Sequence, residues 1–341
     1  MGRWHWRALV RANAFILASV IALTACQPRN SIGLGESTSV ARGALAYRAT
    51  GVGTRLLPSV ELALRFELVV RRLDGRRLRE VGRLDLGPPD WDITGLDAAS
   101  SGPIVWVSSR DGTVRAINVE SLEETIRWPV GDSVTSITAS ADGKYVAYGT
   151  SSGVLCLRRT ADGALLQCLH AGDDEITSLD TWRDHLASAT SGGAVTVWKL
   201  PTLTRVRQEK VSGPVGEVAF SRDGSLAVAI GGPPGRTTKR RGEIAAWTAD
   251  GGWQTCASRS EPVSSITWAE SGLLAAGGTG GALLLFQATA NGCRLVDNRA
   301  FGQPIAYLQT VQPGKRLLVG LWAKGRDEET AVLVDYLYPS P

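Results

Sequence analysis

One short phrase recurs along this chain at a nearly fixed interval. It reads Ile93-Thr-Gly-Leu96, Val134-Thr-Ser-Ile137, Ile176-Thr-Ser-Leu179, Val215-Gly-Glu-Val218, Val263-Ser-Ser-Ile266 and Ile305-Ala-Tyr-Leu308, at intervals of 41, 42, 39, 48 and 42 residues. The stretch Ile176 to Lys210 shows a whole unit: Ile176 to Leu179, His185 to Thr190, Ala194 to Trp198 and Leu203 to Lys210. These are four short runs rich in β-branched and small residues, parted by Gly, Pro, Asp and Ser, as in a four-stranded antiparallel meander. One such sheet cannot bury both of its faces, so neighbours must stack on either side. A period of roughly 40 to 45 residues with four strands per unit is the signature of propeller blades.

The turns repeat with the strands. Between second and third strands stand Ser109-Arg-Asp-Gly112, Ser151-Ser-Gly153, Ser191-Gly-Gly193 and Thr279-Gly-Gly281. An earlier turn carries Ala141-Asp-Gly143 and Arg222-Asp-Gly224. Gly suits these places because a tight hairpin needs positive φ.

With these turns, with Val195-Thr-Val-Trp198 and Ile244-Ala-Ala-Trp247 on third strands, and with small-residue second strands, residues 40 to 338 resemble the WD40 family of β-propellers. No Trp-Asp pair ends a third strand and no Gly-His pair is present; His170 with the Asp173-Asp174 turn is its nearest echo. A quinoprotein-like propeller is the competing subclass, suggested by Glu120 to Trp128, but the period and the Ser-x-Asp-Gly turns favour WD40.

The expected fold is therefore all-β, a seven-bladed propeller of four-stranded antiparallel blades, with six blades as the alternative count. Ala44 to Ala49 and Glu61 to Leu73 read as second and third strands of a first unit, and Arg77 to Leu86 as its outermost one. The last unit, from Ile305 to Tyr338, lacks an outermost strand, so the N-terminal region is expected to close the ring by completing that blade. Three connections between second and third strands look long: Thr50 to Ser59, Gly231 to Gly242, and Ala323 to Glu329. The WD40 resemblance places such loops on one rim with the blade-to-blade connections. Trp91, Trp128, His170, Arg236, Lys239, Arg240, Arg241, Lys324 and Arg326 are expected there as a partner-binding face, since functional residues favour loops on rigid scaffolds.

The first 25 residues stand apart from the fold. Arg3, Arg7 and Arg11 precede the apolar run Ala12 to Ala22, too short for an ordinary membrane span, so it reads as an export signal helix. Leu23-Thr-Ala-Cys26 resembles a bacterial lipobox, which makes Cys26 the lipidated first residue and residues 26 to 40 a tether. Gln27 follows it in place of an inner-membrane retention Asp, which favours the outer membrane, periplasmic side. Signal removal takes away three of the 37 basic residues and none of the 33 acidic ones, leaving a formal charge of +1. So neutral a body argues against nucleic acid, which needs a basic footprint.

Four cysteines remain. Cys156 and Cys168 flank the Thr160 to Gly163 turn with equal index sums about its centre, so they face across a hairpin at disulfide distance. Cys256 and Cys293 start outermost strands of consecutive blades, and a bridge there would staple neighbours. Outermost strands diverge, so this second pairing stays open; export brings an oxidising compartment, in which a disulfide persists.

Chemistry-bearing patterns are sparse. Only His170 and His185 outlast signal removal; no Cys and His share metal-ligand spacing, and no phosphate loop sits between a strand and a helix. Asp173-Asp-Glu175 and Asp327-Glu-Glu329 read as solvated turns. Arg71, Arg72, Arg76, Arg77, Arg79 and Arg83 read as edge protection and Thr237 to Arg241 as the better anion contact. The resulting expectation is a non-enzymatic envelope lipoprotein with protein partners, a membrane anchor and no cofactor. A glycan- or small-ligand-binding propeller using Trp91, Trp128 or Trp253 at its channel is the alternative, and a lactonase- or quinoprotein-type enzyme a further one.

Overall fold

The computed structural model describes residues 44–55, 62–74, 77–87, 93–98, 103–231, 242–248, 252–269, 272–311, 316–321 and 330–335, and among them there is no helix. The strands form seven antiparallel sheets, taken below as blades 1 to 7 in chain order. Blade 1 has β1 (Ala44–Arg55), β2 (Leu62–Asp74) and β3 (Arg77–Gly87). Blade 2 has β4 (Ile93–Ala98), β5 (Ile104–Ser109), β6 (Thr113–Asn118) and β7 (Glu123–Pro129). Blade 3 has β8 (Val134–Ala139), β9 (Tyr145–Thr150), β10 (Val154–Arg159) and β11 (Leu165–His170). Blade 4 has β12 (Ile176–Trp182), β13 (His185–Thr190), β14 (Ala194–Lys199) and β15 (Thr204–Lys210). Blade 5 has β16 (Val215–Phe220), β17 (Leu226–Ile230), β18 (Gly242–Thr248) and β19 (Gly252–Arg259). Blade 6 has β20 (Val263–Trp268), β21 (Leu273–Gly278), β22 (Ala282–Thr289) and β23 (Gly292–Ala300). Blade 7 has β24 (Ile305–Val311), β25 (Arg316–Leu321) and β26 (Thr330–Asp335).

Core side chains lie between blades rather than within them. Six apolar clusters follow the chain round, each shared by adjacent blades: Val114 with Val146, Leu157 with Leu179, Val195 with Val218, Ala246 with Ile266, and Leu285 with Val319. The sixth joins Tyr307 and Leu318 of blade 7 to Leu68 and Val70 of blade 1 and Leu96 of blade 2. That cluster joins the first and last blades through side chains, and among the described strands none of blade 1 pairs with β26. The N-terminal residues ahead of Ala44, expected to help complete blade 7, lie outside the described residues. One correction concerns Thr50 to Arg55, which extend β1 opposite Leu62–Glu67 and so shorten the expected loop.

The recurrent phrase proves to be a joint. In all six innermost strands the register slips after the first residue of the phrase, a bulge that leaves the second residue out of the ladder. Where that residue carries a hydroxyl, it donates to the next blade's innermost strand: Thr94 to Val134 O at 2.6 Å, Thr135 to Ile176 O at 2.7 Å, Thr177 to Val215 O at 2.7 Å and Ser264 to Ile305 O at 2.5 Å. The third residue accepts in return. Ser178 Oγ takes the Val218 N–H at 3.0 Å and Ser265 Oγ that of Leu308 at 3.0 Å. Glu217, the acidic exception among these strands, takes the Ile266 N–H at 2.7 Å and is buried.

The glycine turns are joints too. Gly112, Gly153, Gly193 and Gly281 all have φ between 71 and 90°. Each carbonyl accepts a backbone bond from the strand-to-blade connection, from Val130, Ala171, Val211 and Phe301 respectively, at 2.7 to 2.9 Å. At Gly153 a Cβ would stand 1.9 Å from Gly172 O, so no side chain fits. The second-to-third-strand turns and the blade-to-blade connections therefore share one rim, as the sequence implied.

Candidate functional site: an open seam between blades 4 and 5

From blade 2 to blade 6 the outer parts of the seams are filled differently, and among the described residues the seam between blades 4 and 5 holds an open cavity. Between blades 2 and 3, Trp106 and Trp128 stack with centroids 5.0 Å apart, and the Arg158 guanidinium lies 4.8 Å over Trp128. Between blades 3 and 4, Trp198 is buried beside Leu200 and Leu203, its Nε1–H donating to Ser188 Oγ at 2.8 Å. Between blades 5 and 6, β19 and β23 come together and Cys256 is bonded to Cys293 across them.

Between blades 4 and 5 there is instead a cavity of about 220 Å³, walled by Trp182, Phe220, Trp247 and Trp253 over a floor of Val195, Val197 and Leu226. Its parts come from strand ends. Trp182 ends β12 and faces His185, which starts β13, with ring centroids 5.7 Å apart. Phe220 ends β16, its ring 6.1 Å from that of Trp182. Trp182 Nε1–H donates to Arg222 O at 2.9 Å, and a Cβ on Gly224 would stand 2.7 Å from the indole. The Ser221-x-Asp-Gly turn thus seats Trp182. Trp247 and Trp253 face each other across the hairpin that joins β18 to β19. The Arg207 guanidinium covers Trp247 at 4.5 Å.

The polar groups at the mouth are mostly engaged with one another. Arg207 Nε donates to Glu209 Oε1 at 2.9 Å. Asp223 accepts from Ser221 Oγ and from the Ser225 N–H. Partial burial pushes the Asp223 carboxyl up, but these hydrogen bonds outweigh it and hold its pKa below the ordinary value. His185 Nδ1 lies 2.9 Å from Asp184, which also pairs with Lys199. Trp253 Nε1 is buried and meets no acceptor among the described residues. On the same seam Val206 is 56% exposed.

Of the residues singled out from sequence, Trp253 walls this cavity, and the other described ones fall elsewhere. Trp128 lies on the outermost strand β7, half-buried in its seam. His170 ends β11, exposed, with Nε2 3.1 Å from Asp173. The two lie on the outermost strands of adjacent blades, and the Trp128 indole packs against Gly163 in the turn between β10 and β11. Cys26, Trp91, Arg236, Lys239, Arg240, Arg241, Lys324 and Arg326 lie outside the described residues, as does Asp327-Glu-Glu329. Trp253 and Trp128, placed at the channel by the alternative reading, stand on outermost strands. Arg72 and Arg79 pair across β2 and β3. Asp174 packs onto the Gly192 turn, and no described group of His, Cys, Asp or Glu has the geometry to hold a metal ion. A narrow crevice of about 20 Å³ near Gly278 and Gly280 holds no more than a water molecule. What the sequence hid was convergence: Trp182, Phe220 and Trp247 each end a strand, and nothing in their spacing says that three ends meet.

No family model matches this chain, and no curated protein does. A chain in the crystal structure of the mitotic checkpoint complex has the same fold, with a TM-score of 0.63 at 17% identity over 81% of this chain and 83% of that one. The fold is that of a WD40-like propeller.

Proposed function

We propose that this ring is a lipid-anchored scaffold of a bacterial envelope, working by holding a protein partner rather than by turning over a substrate. The open seam carries the reading: three indoles stand half-exposed in one cleft, and concentrated aromatic surface of that kind is what interfaces use. The innermost-strand hydroxyls and Glu217 are engaged in joining blades, which leaves them a structural role in place of a catalytic one. The address rests on the leader and on Leu23-Thr-Ala-Cys26, which make acylated Cys26 the anchor, with the outer membrane's periplasmic face as destination. Two disulfides accord with that compartment. The checkpoint-complex chain is part of an assembly, which is consistent with a binding role for the fold.

The test joins fractionation to capture. Tagged full-length protein expressed in a bacterium should incorporate labelled fatty acid, sediment with membranes and recover a defined protein from solubilised envelope. Cys26→Ser should abolish label and sedimentation together. Label retained by Cys26→Ser removes the anchor, and capture with no protein partner removes the scaffold.

A further inference from the structure

We infer that the seam between blades 4 and 5 seats one bulky apolar side chain of an extended, acidic partner segment lying along the outer edge of β15. This rests on the scaffold reading and gives it a ligand chemistry.

Size is the first argument. At about 220 Å³ the cavity is smaller than the roughly 300 to 1,000 Å³ typical of sites for small molecules and cofactors, and suits a single anchoring side chain. The second argument is which polar groups have partners. A sugar needs several convergent donors and acceptors, whereas here Arg207 and Glu209 bond each other and Asp223 serves its own turn. The third is the edge. β15 is the last strand of its sheet, no described strand pairs its outer side, and Val206 points from it into the cleft. An added strand would gain main-chain hydrogen bonds there while the pocket selects a side chain. Charge completes the case: β15 carries Arg205, Arg207 and Lys210 against Glu209 alone, which favours acidic neighbours around the anchor.

The probe is the peptide acetyl-Glu-Asp-Phe-Glu-Asp-amide, titrated into the full-length, disulfide-intact protein in detergent while tryptophan emission is followed. A saturable change is expected. Replacing the probe's Phe by Gly should weaken it at least tenfold, the cost of losing an interface anchor. Replacing the four acids by Lys should weaken it as well. Val206→Glu, at an exposed site that leaves folding intact, should abolish the response, and Leu295→Glu on the exposed face of β23 should not. The inference is overturned if the probe gives no response, if Val206→Glu binds it as the wild type does, or if methyl β-glucoside or phospholipid vesicles displace it as effectively as unlabelled peptide. Envelope capture separates the two claims: a partner retained by Val206→Glu sinks this inference alone, and no partner with the wild type sinks the scaffold.

Discussion

Thr94, Thr135, Thr177 and Ser264 occupy one position in four innermost strands, and each donates its hydroxyl to the neighbouring blade. Thr177→Val keeps the shape but strands Val215 O in a buried place, and an orphaned buried acceptor costs about 1–3 kcal/mol. Urea unfolding should show that loss, while Thr204→Val on the exposed outermost strand should change stability by less than about 0.5 kcal/mol. Carboxylates give the acid side of the curve. Asp142 and Asp223 are each pushed up by partial burial yet held below the ordinary value by hydrogen bonds from Ser140 and Ser221. A depressed folded-state pKa contributes stability that is complete above the unfolded value near 4 and is lost as pH falls through it. Thermal midpoints should therefore fall more steeply from pH 6 to pH 3 for wild type than for the double variant Asp142→Asn, Asp223→Asn; parallel curves would refute the assignment. The Thr-Ser phrase was visible as a repeat, but its role was not, because the bond partner lies about 40 residues away and only the bulge directs the hydroxyl outward.

At the scale of elements, hairpin register was the most legible feature. Cys156 faces Cys168 in the observed ladder, as expected, although the index sum is 323 beside the turn, at Arg158 and Leu165, and becomes 324 only past a bulge between Leu157 and Arg158. The link between Cys256 and Cys293 was less legible, since outermost strands diverge in general and nothing local says that β19 and β23 approach. In the chain-entropy model, loops with separations of 12 and 37 residues are worth about 3 and about 4 kcal/mol respectively. Cys256→Ser with Cys293→Ser should thus lower the urea midpoint at least as much as Cys156→Ser with Cys168→Ser. Equal stability of oxidised and reduced wild type would contradict both. Strand ends were read less well: Thr50 to Arg55 resemble loop residues because Gly51 and Gly53 punctuate them, yet their pairing with β2 holds them extended.

For the molecule as a whole, the period dictated a ring, and the ring dictates where chemistry is available. Six clusters run between seven blades, so every seam must be sealed, and the means of sealing differ. Trp198→Ala should cost about 3–5 kcal/mol, as expected for a large buried side chain. Trp253→Ala, at the open seam, should cost under about 2 kcal/mol, because its indole is only half-buried. A residue that matters for binding and little for folding is what a working surface requires. The most direct measurement places a photo-crosslinking phenylalanine at each of the exposed apolar positions Leu165, Val206 and Leu295 of the full-length protein in living cells. A defined protein adduct from position 206, with none from 165 or 295, is the predicted result. Adducts of equal yield from all three, or from 165 or 295 without 206, would contradict the claim that the seam between blades 4 and 5 is where this propeller binds.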